Sequence, residues 1–528
     1  MIRKLSILCL TVVAVLVASC YADKSTFATF DYPDIVVVPS VQGDTLTVAY
    51  GETLKISVDV SQEGVSSNDL EYMWEMDVQP GSYRNRAFMG DGNELEFRVL
   101  NNPSAIPYVL SLTVTNRESG YSKIKSWTVY VTSSLGEGIL VAHTADGGKS
   151  SELALVAQSS ITYGYTSEVP RYTWNLFSLG NDKSIDGKVT SLLARSYTNL
   201  NASVVSNFNE SVIMVGTDEH IYALDPVNYK VSRSDEELFN TKNVTEFGTS
   251  YLHNVGGYST ISVNGGVPYG CMDLLDISYS RLTYPGSYEN AFKPGNIVSV
   301  PELQGKVYVY DDELHTVFFC MGWCLTTSSF TPMDVDKMPD PALLADKTCV
   351  AAGHLKAMKG GFILKDSAGK YWILIVDVES ASPVLQQLDA PDIDKAECFE
   401  FCDNADVIFY SVGSKLYSIV VTSGTVTVKS LSWTPSTKGE KVTMLRQYSQ
   451  AWFGTHQYPT SSSESNSYQF PLKYNRLQLV IVTYDESTGE GRFYLRPYNV
   501  TTGLLSAFVD NGVYGGFNEI TAICTTMR

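Results

Sequence analysis

The chain of 528 residues has little that announces catalysis. It holds no Gly-x-Ser-x-Gly elbow, no His-Glu-x-x-His zinc helix, no P-loop and no Gly-x-Gly-x-x-Gly dinucleotide turn. Histidine is scarce: His143, His220, His253, His315, His354 and His456 are scattered without ligand spacing and read as loop or core residues. Basic residues are scarce as well, 38 Lys and Arg against 57 Asp and Glu, for a formal net charge of −19. Such a surface repels nucleic acid and anionic lipid, so neither is an expected partner. Long helical periodicity is also missing. The one tempting stretch, "DPALLADKTCVAAGHLKAMKG", is interrupted by Gly and β-branched residues that keep any helix short.

Cysteine is absent between Cys20 and Cys271, so no disulfide is expected across the first quarter of the chain. Seven cysteines follow: Cys271, Cys320, Cys324, Cys349, Cys398, Cys402 and Cys524. An odd number argues against a complete disulfide framework. Two pairs have C-x3-C spacing, but no His stands at a matching offset, and on a strand the two members would lie roughly 13 Å apart. They read as buried β-core thiols, and no metal or cofactor is expected. Asp91-Gly92-Asn93-Glu94 and Asp146-Gly147-Gly148 miss the calcium-loop spacing and read as hairpin turns. "YDDELH" offers Asp311, Asp312 and Glu313 as carboxylates for glycoside cleavage, with a solvated turn as the simpler reading.

What is present begins at the N-terminus. Arg3 and Lys4 precede an uncharged stretch, Leu5 to Val17, laid out as a secretory signal. It is shorter than the roughly 20 apolar residues that span a bilayer. Val17-Ala18-Ser19-Cys20 resembles a bacterial lipobox, which implies cleavage before Cys20 and acylation of its sulfur. Several acyl chains at about 0.8 kcal/mol per buried methylene make a stable anchor. An ordinary secreted protein cut near Ala22 is the alternative. Residues 1–19 are thus expected to be signal and 20–32 a lipidated tether.

Period-two alternation then runs through Ile35-Val38, Leu46-Tyr50, Leu54-Val60, Leu70-Val78, Leu95-Val99, Tyr108-Thr115 and Ile124-Val131. Short strands between turn signals such as "GDGN" and "NNPS" are the pattern of an immunoglobulin-like sandwich over 33–134. "LEYMWEMD", with Trp74, and "YVLSLTVTN" resemble the Tyr-x-Trp and Val-x-Leu-Thr-Val-Thr strands of the polycystic-kidney-disease-type (PKD-like) domain. The Asp-Gly expected close behind the Trp is displaced to Asp91-Gly92.

From Gly136 the strands recur in a longer unit. "VIMVGTDEHIYALDPVNYKV" resembles one blade of a quinoprotein-like β-propeller, and similar units start at Gly138, Tyr258, Lys306, Gly360, Asp406 and Leu479. Most spacings fall near the 40 to 50 residues usual for a blade. Two long intervals, near Tyr163-Arg195 and Trp433-Asn475, are assigned insertions. The terminal "NEITAICTTMR" alternates Ile520, Ala522 and Cys524, and is expected to pair with the first blade and close the ring. The expectation is an all-β chain: a PKD-like sandwich, then a β-propeller over 136–528, seven-bladed with six or eight as alternatives. A stack of sandwiches is the competing architecture.

Aromatic residues are the one surplus: 33 Tyr, 21 Phe and 7 Trp. Tyr163, Tyr165, Tyr172 and Trp174 cluster in the first long interval; Trp433, Trp452, Phe453 and Tyr458 cluster in the second. Exposed rings offer flat apolar area with a polar handle, suited to sugar faces or peptides, although strands also use aromatics in packing.

Lipobox, PKD-like sandwich and propeller together resemble the PKD-like lipoproteins of Bacteroidota. The resemblance implies an outer-membrane, lipid-anchored protein, facing outward, that serves a Sus-type nutrient importer. Its partners would be a TonB-dependent transporter and the substrate-binding lid lipoprotein, with peptide or oligosaccharide as ligand and the membrane touched only through the anchor. No catalytic residues come with that family. A cell-surface glycan-degrading enzyme and an adhesion or structural lipoprotein are the other readings.

Overall fold

The structure is a computed structural model that describes residues 32–526 apart from short internal stretches, of which 199–208 and 450–474 are the longest. Cys20 therefore lies outside the described residues. The chain divides into two compact units between Thr132 and Ser133.

The first unit is two sheets. One joins Val36–Pro39, Thr53–Ser61 and Glu94–Arg98; the other runs Thr45–Ala49, Ser122–Thr132, Tyr108–Asn116, Leu70–Asp77 and Arg86–Gly90. Alternation places one face of each strand inward: Ile56, Leu110, Leu112, Val114 and Val129 are buried. Trp74 is fully buried and stacks on Trp127 with centroids 5.4 Å apart, while its Nε1 donates to Gly92 O at 2.8 Å. That bond gives displaced Gly92 a place: it satisfies the indole from the segment that carries the chain from Arg86–Gly90 in one sheet to Glu94–Arg98 in the other, so Asp91-Gly92-Asn93-Glu94 is a sheet-to-sheet connection and not the hairpin turn expected. The strand Arg86–Gly90 had no clear alternation and was not expected.

In the second unit, seven sheets follow one another in chain order among the described residues, each built as a meander of antiparallel strands. Blade 1 contains Gly138–Thr144, Ser150–Ala157 and Arg171–Thr173, with the terminal strand Glu519–Thr526 as its inner edge. Blades 2 to 7 begin with inner strands Val189–Thr198, Thr249–Asn254, Ile297–Val300, Lys347–Leu355, Cys398–Phe401 and Lys441–Gln447. Consecutive inner strands touch, and Glu519–Thr526 contacts blades 2 and 7, so the sheets close into a propeller-like ring around a central channel. Closure leaves no free inner edge. Apolar clusters fill the wedges between blades, for example Ile363, Ile373, Ile408 and Ile419 between blades 5 and 6.

The repeat units located in the sequence start on the second strand of each blade, such as Asn209–Thr217, Lys306–Asp311 and Gln478–Asp485. These are nearly wholly buried and so carry continuous apolar runs. The two supposed insertions are corrected in part. The first holds the outer strand Arg171–Thr173 and most of blade 2's inner strand; the second holds the inner strand of blade 7. The tempting helix is a short 3-10 turn at Pro341–Leu343 followed by the strand Lys347–Leu355. Of the cysteines, Cys271, Cys320 and Cys402 are buried and Cys349, Cys398 and Cys524 half-buried, each a thiol and not half of a disulfide. Burial pushes the Cys524 thiol up to about 12 and those of Cys349 and Cys402 well up. Cys324 lies outside the described residues.

Several acidic residues are turn-formers. Asp311 accepts from the amides of Glu313 and Leu314, Asp366 from Ala368 and Lys370, and Asp485 from Ser487, each at the end of its blade's second strand. The Trp372 indole, donating to Asp366 at 2.9 Å, leads in holding that carboxyl below its usual range. Asp366→Ala is expected to lower the melting temperature by about 2–4 °C, with Asp366→Asn intermediate, in a thermal unfolding scan. An unchanged midpoint would remove this turn from the stabilising set.

Candidate functional site

Two places gather chemistry. The first is on blade 1. Tyr172 is the middle residue of the outer strand Arg171–Thr173 and Trp174 follows that strand; their rings lie parallel, centroids 5.4 Å apart at 3°. Phe517 packs against Trp174 at 5.0 Å and His143 meets it edge-on at 5.9 Å. Gly516 lies beside the indole in a left-handed conformation, φ +86°, which favours glycine there. Trp174 remains 36% exposed. It is thus a fixed, half-open aromatic surface with three rings behind it. His143 is buried with neither ring nitrogen hydrogen-bonded among the described residues, and burial lowers its pKa.

Among the other sequence-selected aromatics, Tyr163, Tyr165, Trp452, Phe453 and Tyr458 lie outside the described residues. Trp433 is half-buried, edge-on to Tyr494 at 5.7 Å, in the cluster between blades 6 and 7. The structure therefore joins Tyr172 to Trp174 and sets Trp433 in a different cluster. The carboxylates of "YDDELH" are tied locally: Asp311 to Tyr284, Asp312 to Lys293 and the Cys349 amide, Glu313 to Asn290.

The second place is the channel. Thr190, Ser250, Thr348 and Thr443 are exposed residues of the inner strands, and the hydroxyls of Thr190 and Ser250 donate to backbone carbonyls. Tyr251 and His253 stand two residues apart on the inner strand of blade 3, so they share a face, and their rings stack at 4.3 Å. Tyr251 donates to Ser299 Oγ of blade 4 at 3.0 Å. From blade 7, Arg446 reaches Glu400 of blade 6 at 3.4 Å, and Glu400 also accepts from the Gln447 amide at 2.7 Å.

Arg446 also acts electrostatically on Tyr251 and His253. Blades 3 and 7 are not neighbours, so these groups can sense each other only across the channel. His253 is exposed. Desolvation by the surrounding protein, reinforced by Arg446, still holds the imidazole below its usual range and therefore neutral. Enclosure pushes Glu400 up, opposed by Arg446. Further along, Arg476 pairs with Asp403 at 2.8 Å, and Gln447 donates to Asn404 at 2.9 Å and to the Tyr498 hydroxyl at 2.8 Å, fastening blade 6 to blade 7.

Sequence reading missed this group. Tyr251-x-His253 alternates on a strand, which is the only local signal; its meeting with Glu400 and Arg446 depends on ring closure. Among the described residues, no group of three or more His, Cys, Asp or Glu is arranged to hold a metal ion, and no helix is long and apolar enough to cross a membrane.

No family model matches the chain, and no curated protein does. Among solved structures, a quinoprotein alcohol dehydrogenase-like protein from Bacteroides thetaiotaomicron is similar at 12% identity and TM-score 0.43, over 94% of this chain and 99% of that one. A periplasmic gluconolactonase from Pseudomonas aeruginosa is similar at 8% identity and TM-score 0.36, over 74% and 99%. A protein of unknown function from Bacteroides caccae is similar at 8% identity and TM-score 0.30, over 60% and 98%.

Proposed function

We propose that this chain is a non-enzymatic ligand-binding lipoprotein of the outer-membrane surface, anchored at Cys20. It binds peptide or oligosaccharide and hands it to a TonB-dependent transporter with its lid lipoprotein. The observation that carries the binding role is the Tyr172–Trp174 pair: a half-exposed indole fixed by rings beneath it loses little entropy when a flat ligand covers it. Val17-Ala18-Ser19-Cys20 supports the anchor, and the first unit, read as PKD-like, would stand between Cys20 and the ring.

Trp174→Ala is expected to weaken capture of peptide or oligosaccharide by about tenfold or more, read by calorimetry on the mature chain, with the melting temperature little changed. Affinity purification from solubilised outer membranes should bring down a barrel transporter and a lid lipoprotein. Turnover of substrate with neither association would sink the reading. One feature favours a hydrolytic alternative, the enclosed Glu400 with its raised carboxyl pKa; loss of such turnover in Glu400→Gln would decide for it.

A further inference from the structure

We propose that the channel holds a small carboxylate on Arg446, with His253 and the Tyr251 ring completing the site. Arg446 is charged and only partly used. One terminal nitrogen meets Glu400 at 3.4 Å and the Leu445 carbonyl at 3.3 Å, and 46% of the side chain stays exposed. Its other N–H groups meet no partner among the described residues. A guanidinium edge presents parallel donors that match a planar carboxylate two bonds at a time.

His253, neutral and with no hydrogen bond among the described residues, adds one donor and one acceptor across the channel. Its stacking on Tyr251, which Ser299 fixes, holds the imidazole in place before a ligand arrives. The charge balance selects the ligand class. Glu400 offsets Arg446, and Asp403 offsets Arg476, so the cluster is near neutral and suits a monoanion better than a doubly charged phosphate.

This site is separate from the rings on blade 1 and stands whether or not those rings bind. The test is calorimetry on the full mature chain in detergent, with galacturonate against galactose and with diglycine against its amide. At least one acid should bind, with its counterpart lacking the carboxylate at least tenfold weaker. Galacturonate alone would assign an acidic sugar, diglycine alone a peptide terminus, and both together the shared carboxylate. Arg446→Gln should weaken the acid by roughly 10- to 100-fold, and Arg446→Lys, which keeps charge and loses the fork, should fall between. His253→Ala should cost a smaller factor, and it keeps the test open if Arg446→Gln fails to fold. Binding of neither acid, equal binding of an acid and its counterpart lacking the carboxylate, or wild-type affinity in Arg446→Gln would overturn the site. Continued capture of neutral oligosaccharide or peptide in those cases would leave the reading of the blade 1 rings intact.

Discussion

Removal of residues 519–528 is expected to abolish the cooperative unfolding of the ring unit and send the chain into aggregates. The strand Glu519–Thr526 is the inner edge of blade 1, paired to Gly138–Thr144 from Glu519 opposite Thr144 to Thr526 opposite Gly138. Every residue of Gly138–Thr144 is buried. Without its partner that strand becomes an apolar edge, with amides and carbonyls unpaired inside the ring. Each buried donor or acceptor left so costs roughly 1–3 kcal/mol, and several of them together rival the roughly 5–15 kcal/mol that holds a domain. Ile520 would also leave the cluster it fills with Val482, Tyr514 and Phe517. Two cross-blade ties disappear as well, Lys188 to Glu519 at 2.8 Å and Thr525 to the Ser449 carbonyl at 2.5 Å. An unpaired apolar edge is a template for another chain, so aggregation accompanies the loss. Circular dichroism melting with size-exclusion chromatography reads both effects. A monomeric variant that melts within a few degrees of the parent would show that the ring does not depend on this closure. Ile520→Asp, which keeps the backbone pairing, should give a smaller fall.

That the terminal strand closes blade 1 was legible from its apolar alternation, but not which residues share a face: a bulge between Ile520 and Ala522 sets Ile520 with Ile523 and leaves Ala522 and Cys524 on the other face. The second strands of the blades were legible for a related reason: buried on both faces, they keep apolar runs such as Val307-Tyr308-Val309-Tyr310. Inner strands were harder to see. Thr249–Asn254 reads Thr-Ser-Tyr-Leu-His-Asn, because one flank packs between blades while the other meets channel water. Lys441–Gln447 has a bulge between Val442 and Met444 that breaks the alternation altogether. Site residues followed the same division. Tyr172 and Trp174 are sequence neighbours, so their clustering was visible before any fold was known. Arg446 and His253 come from opposite parts of the ring, and only closure brings them to one channel.

His354 should make the ring unit sensitive to mild acid. It lies one residue before the end of blade 5's inner strand, buried, with neither Nδ1 nor Nε2 hydrogen-bonded among the described residues. Burial lowers its pKa to about 3, and Arg476 pushes the same way. In the unfolded chain the imidazole titrates at about 6.5. Below that value the unfolded state takes up a proton that the folded state refuses, so stability is lost as pH falls from about 6.5 toward the folded pKa. The limiting slope is about 1.4 kcal/mol per pH unit, and the loss accumulated by about pH 4.5, relative to neutral histidine in both states, is about 2.7 kcal/mol. His143 and His253 act in the same direction, His253 more weakly because its ring meets channel water. Glu152 and Glu400, whose carboxyls burial raises, act in the opposite sense as they protonate. A comparison of the parent with His354→Gln cancels those shared contributions, since only one imidazole differs. Urea unfolding across this window should show the variant losing stability less steeply, so that the gap between the two chains shifts in the variant's favour by about 2.7 kcal/mol at about pH 4.5. Parallel pH profiles would mean that the folded chain protonates His354 as readily as the unfolded one, and that water or a local opening reaches the end of blade 5's inner strand.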